Sequence, residues 1–353
     1  MLFEWSPLKI DRNTYYSSSN SATYLFLCNI GLFLIMLITF SLSQDNTFEF
    51  LKYIFYLGFI TLGMAHGASD HLFLWGTFNQ LNLFKKILGL AGYAFLSILY
   101  LMFWKLYPIA SLSAFIAITI IHWGQGDRYF CYKFFKCIYL KDSFVLKTLN
   151  ILVKGSIPIF ITIFSDLVFF HSFLESLLNQ LDHKACDISL LLNIRFVFLI
   201  IPILLFVSYL ISLLSHLRHF TKCNLKGIFF DIIETVFLFL WFLLLPTLLS
   251  LGVYFIFWHS LRHAIRILYI DKKFLIGTSK IKSLNICFRW FQLTGAMTAL
   301  AFIGSSFLLS YNLLKPNFDL EWISISAIAI SCLTFPHFIT VSLMDSIEID
   351  NQK

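Results

Sequence analysis

The chain has 353 residues, of which 59% are apolar and only 13% charged, a balance that excludes a soluble globular domain and indicates a polytopic membrane protein. The formal net charge of +7 is gathered in short loops between apolar runs, where it reads as a topology signal. No nucleic-acid partner is expected.

The N-terminal segment 1–21 is polar and carries Lys9, Asp11 and Arg12, so no cleavable signal peptide is expected and the first apolar run is read as a true span. Taking about 20 apolar residues per crossing, spans are predicted at 22–43, 51–76, 87–107, 109–126, 147–170, 191–214, 228–246, 247–268, 285–310 and 322–343. The expected fold is therefore all-α, a membrane helix bundle of about ten transmembrane helices. Pro108 and Pro246 mark the two softest boundaries, since proline either ends a helix or kinks one long span. Nothing divides the chain, so 1–353 is expected to be one domain, with the bundle at 22–343 and a tail at 344–353.

Loops with Lys85 and Lys86, with Arg128, Lys133, Lys136 and Lys141, with Arg218, Lys222 and Lys226, and with Lys272, Lys273, Lys280 and Lys282 alternate with poorly basic ones. The latter hold Asp45 and Glu49, then Glu175, Asp182 and Asp187, then Asp319 and Glu321. By the positive-inside rule both termini are expected to be cytoplasmic, and the basic loops also suit anionic lipid headgroups. The seven cysteines show no metal spacing and are read as inert buried thiols.

The chemistry-bearing signal is a set of histidines in apolar sequence, where an imidazole is costly unless it is paired or bound. His66 lies in GMAHGASDH, His122 in IHWGQGD, His259 and His263 in FWHSLRH, and His337 in FPHF. Each falls in the later half of an even-numbered span, which places all five at one depth. The i, i+4 spacing of His259 and His263 sets both rings on one helix face, able to share an ion. His66 and His122 would complete a four-nitrogen site.

Asp70, one turn beyond His66, can accept a hydrogen bond from a ring N–H and orient it. Asp127 is as well explained by a helix interface, and His71 by a position behind a ligand or on the substrate side. Ligand, wall and interhelical hydrogen-bond roles all fit His337, which follows Pro336 at an expected kink. His171, His183, His216 and His219 are expected in loops or at span ends. Gly63, Gly67, Gly124 and Gly126 would permit close helix approach around the site.

Imidazole suits zinc, copper, iron and nickel alike, so ligand type does not name the ion. The 42 phenylalanines serve packing and lipid contact, and such a lining would also suit a long planar substrate. Two other classes fit paired intramembrane histidines: a haem-binding electron-transfer subunit, and a proton-coupled transporter with a His/Asp relay. A membrane desaturase would need denser histidine boxes.

Taken together and in order, GMAHGASDH, HWGQGD, FWHSLRHAIR and the late PH resemble the Brp/Blh family of membrane β-carotene 15,15′-dioxygenases, from about residue 58 to residue 343. The resemblance implies cleavage of the central double bond of β-carotene, or of a related carotenoid, by molecular oxygen to give two retinal molecules. It also implies Fe2+ held by His66, His122, His259 and His263, in a multi-pass protein of a bacterial or archaeal cell membrane. The family pattern usually has proline before the first histidine, whereas this chain has Ala65. Oligomeric state is not legible.

Overall fold

The computed structural model describes residues 26–38, 62–74, 82–181, 183, 192–219, 224–270, 283–310 and 320–350. The N-terminal segment and most of the charged loops used for orientation, those with Asp45, Glu49, Asp182, Asp187, Lys222, Lys272, Lys273, Lys280, Lys282 and Asp319, lie outside them. Among the described residues every regular element is helical, as lipid requires of a spanning chain that cannot close a barrel.

In chain order the helices are α1 Phe26–Ile38, α2 Met64–Ala68, α3 Asp70–Leu74, α4 Leu83–Leu106, α5 Pro108–Phe134 and the single turn α6 Tyr139–Asp142. Next comes α7, Phe144–Ser165, with a π-helical turn at Ile157–Ile161. It is followed by α8 Leu167–Gln180, α9 Arg195–His219, α10 Leu225–Leu244 and α11 Thr247–Val253. A π-helical stretch Tyr254–Ser260 leads into α12 Leu261–Ile270, then α13 Ser283–Ser310 and α14 Leu320–Asp350. Six of these, α4, α5, α7, α9, α10 and the 323–346 part of α14, are long and apolar enough to cross a membrane. The remaining expected spans appear as helix over 26–38, 62–74, 247–270 and 283–310.

Both doubtful prolines separate helices. Tyr107 leaves helical geometry at φ −141°, ψ 67° before Pro108, and Leu245 is extended at φ −100°, ψ 148° before Pro246. In each case the proline ring clashes with a helical conformation in the residue before it.

Two expected boundaries move. The span expected at 147–170 ends at Ser165, because Asp166 turns out of the helix and caps α8, accepting from the Phe169 backbone N–H (3.1 Å). His171, expected in a loop or at a span end, therefore lies inside α8, 3.6 Å from Glu175 one turn on. At the other end α14 runs on to Asp350, and Asp345, expected in a tail, is buried between Arg266 (2.7 Å) and Arg128 (3.5 Å). The helix also continues through Pro336, whose carbonyl accepts the Thr340 hydroxyl (3.0 Å).

The closest helix crossing fixes α5 against α7. A Cβ added at Gly124 would lie 2.0 Å from the Ile151 carbonyl oxygen, and one at Gly155 would lie 1.7 Å from that of Ile120. The two backbones touch, which only glycine allows. Gly67, by contrast, has nothing within 4 Å of the same position among the described residues, so they show no close approach there, and Gly155 supplies the notch that spacing did not suggest. Behind this crossing Phe237, Trp241, Phe242, Tyr254 and Trp258 form the aromatic core. Phe84, Ile87, Phe95 and Ile98 of α4 are exposed, which suits lipid contact.

Candidate metal centre

Five imidazoles meet in the middle of the bundle. His66 comes from α2, His122 from the centre of α5, His259 from the π-helical stretch, His263 from α12 and His337 from the centre of α14. All five are buried. Ring centroids lie 4.7 Å apart for His122 and His337, 4.9 Å for His122 and His259, 5.0 Å for His66 and His337 and 5.2 Å for His66 and His259. His263 is 5.4 Å from His337 and 5.7 Å from His66. Ligand atoms of His66, His122 and His337 all lie within 4.8 Å of one another, and so do those of Asp70, His263 and His337.

The local fold explains how one row of rings faces the cluster and a second faces the aromatic core. A π-helical turn is one residue wider than an α-turn, which brings residues four apart closer to a common row. Phe255 stacks on His259 (6.0 Å, 18°) and Tyr254 on Trp258 (6.3 Å, 21°). His259 and His263 thus keep their shared face while Trp258 points to the aromatic core.

The ring nitrogens divide into held and unheld. His337 Nδ1 lies 2.7 Å from Asp70 Oδ2, and His66 Nδ1 meets the Gly63 carbonyl, with the Ser260 hydroxyl 3.1 Å away. Both nitrogens of His122 and the Nε2 atoms of His259, His263 and His337 have no hydrogen-bond partner among the described residues. A buried imidazole nitrogen without a partner is costly. Several converging in one place fit a metal ion, for which neutral imidazole is the commonest ligand.

Phe255 (5.4 Å from His66), Trp123 (5.8 Å from His259) and Phe338 (6.4 Å from His122) wall the cluster with aromatic carbon. Asp70 meets His337, a residue 267 positions away, instead of the His66 ring one turn before it. The helix face was legible, but the partner belongs to another helix. His71 turns its Nδ1 to the Ala68 carbonyl (2.5 Å) and is half-buried. Asp127 faces away from the cluster, accepting from Trp258 Nε1 (3.0 Å) and Arg262 Nη1 (2.8 Å).

Sequence reasoning missed a second buried polar group beside the first. Lys154 on α7 lies 2.7 Å from Asp231 and 3.3 Å from Glu234, both on α10, and all three side chains are fully buried. Asn150, Tyr139 and Tyr209 also hydrogen-bond to Asp231. The available signal was an ionisable residue inside an apolar span, which Lys154, Asp231 and Glu234 each supply.

Apolar helices enclosing a knot of buried imidazoles define a polytopic membrane protein built around a histidine centre. A family model described as Beta-carotene 15,15'-dioxygenase matches residues 57–345. The chain belongs to that family, whose members are carotenoid-cleaving dioxygenases. It is 26% identical over 293 residues to the "Probable beta-carotene 15,15'-dioxygenase Blh" of Halobacterium salinarum, covering 82% of this chain and 83% of that one. It is 25% identical over 294 residues to the "Beta-carotene 15,15'-dioxygenase" of an uncultured marine bacterium, covering 81% and 90%. No solved structure matches it significantly.

Proposed function

We propose that this protein cleaves the central 15,15′ double bond of β-carotene with molecular oxygen, yielding two retinal molecules, at a non-haem iron(II) held by histidines within the bilayer. The observation that carries this reading is the convergence of five buried imidazoles, four of them with nitrogens that have no partner among the described residues. His66, His122, His259 and His263 are taken as ligands, and His337 is a fifth imidazole placed to join them.

When bound, iron(II) supplies the redox chemistry that lets oxygen react with a carbon–carbon double bond. The chain's own groups prepare the place. Asp70, accepting from His337 Nδ1–H, fixes the tautomer that leaves Nε2 as a lone pair, and the Gly63 carbonyl does the same for His66. Neutral imidazoles add no charge of their own. Phe255, Trp123 and Phe338 offer flat apolar surface on which a polyene can lie, and they keep water from the ring nitrogens. Five rings with neighbouring centroids 4.7 to 5.7 Å apart leave no plane for a porphyrin, which weighs against a haem carrier.

On the same footing, residues 1–353 are read as one membrane domain with both termini cytoplasmic. The activity is tested by expression in β-carotene-producing cells, following pigment and retinal together. Carotene should fall as retinal rises. Unchanged carotene with no retinal, from folded protein carrying iron, would remove this substrate.

A further inference from the structure

Arg262 sits between His259 and His263 in sequence, about a quarter turn round the helix from His263. Its guanidinium is buried and spans two other helices. Nη1 lies 2.8 Å from Asp127 Oδ1 on α5, and Nη2 lies 2.6 Å from Glu234 Oε1 on α10. The plane is held over the rings of Trp258 (3.9 Å) and Phe130 (4.3 Å). Trp258 in turn donates to Asp127 (3.0 Å). Asp127 follows His122 by five residues on the same helix, so the two ends of this contact belong to the two helices that carry His122 and the His259/His263 pair.

We propose that Arg262 is a positioning residue for the histidine centre: by bridging Asp127 and Glu234 it sets the rotation of the 259–263 segment against the His122 helix. This rests on the metal reading given above. Two hydrogen bonds from a rigid planar fork to carboxylates on different helices fix an angle as well as a distance, which a single point charge cannot do. The carboxylates are themselves immobilised. Glu234 also meets Lys154 (3.3 Å), and Lys154 is tied to Asp231 (2.7 Å), so the clamp is anchored on α7 and α10 and has little slack. A rotation of the 259–263 segment by even 10–20° would carry the imidazoles out of a common coordination sphere.

The test uses the full chain in detergent, stripped of metal and titrated with Co2+, reading the visible ligand-field spectrum and the affinity by chelator competition. Thermal unfolding of the metal-free protein is measured alongside. Arg262→Lys keeps the charge and loses the fork, and we expect Co2+ to bind ~10–100-fold more weakly, the range seen when groups that orient ligands are lost, with a changed band pattern. An Arg262→Lys protein with wild-type affinity and an identical spectrum overturns the proposal, whatever its unfolding temperature, because lost stability alone leaves the spectrum in place. Should that variant not fold, Glu234→Gln loosens one arm only, and a smaller shift in the same direction is expected, with no shift overturning the proposal. Wild-type protein that gives no Co2+ spectrum would instead refute the metal reading itself.

Discussion

Two buried polar groups lie side by side in this bundle and are satisfied in opposite ways. In the Lys154, Asp231 and Glu234 group, charges meet charges at 2.7 to 3.3 Å, with Asn150, Tyr139 and Tyr209 adding hydrogen bonds to Asp231. In the histidine group the rings face one another and several nitrogens have no partner among the described residues. Polar atoms taken out of water must be compensated. Where the chain compensates them itself, the group holds helices together. Where it leaves them uncompensated at one point, the arrangement suits something that arrives later, as the proposed metal would.

That contrast predicts effects on different measurements. Lys154→Met should show the largest, ~3–5 kcal/mol of destabilisation, because it strands two fully buried carboxylates; thermal unfolding in detergent reads it, and a variant as stable as wild type would break the assignment of this group to structure. His122→Ala should leave folding nearly intact while bound iron and turnover fall by ~100-fold or more, followed by metal analysis and retinal yield. Full iron and full turnover in that variant would remove His122 from the centre. Asp70→Asn should fall between these and silence, costing ~10-fold in metal affinity by loosening the His337 tautomer, with apo-protein stability little changed. His171→Ala should be smallest, within ~0.5 kcal/mol, since its partner Glu175 is substantially exposed and exposed pairs contribute little.

Hydropathy made the bundle legible because lipid imposes a length and a composition on each crossing. The same logic exposed the histidines, and spacing showed that His259 and His263 share a face. What it could not show was who meets whom across helices. His337 had three open roles until α14 was placed beside α5 and α2, and Asp70 found its partner there instead of one turn back. Lys154 and Asp231 are 77 positions apart in the chain and become neighbours only where α7 packs against α10. The break at Asp166 was hidden for another reason: α8 is apolar enough to extend the preceding run, and only the cap of an aspartate side chain on Phe169 marks its start.

The crossing at Gly124 and Gly155 has a mechanical meaning. Helices separated by side chains can slide or rock as rotamers change, but two backbones in contact have no side chains between them to rearrange. The α5 and α7 pair therefore behaves as a fixed post, with His122 mounted on it.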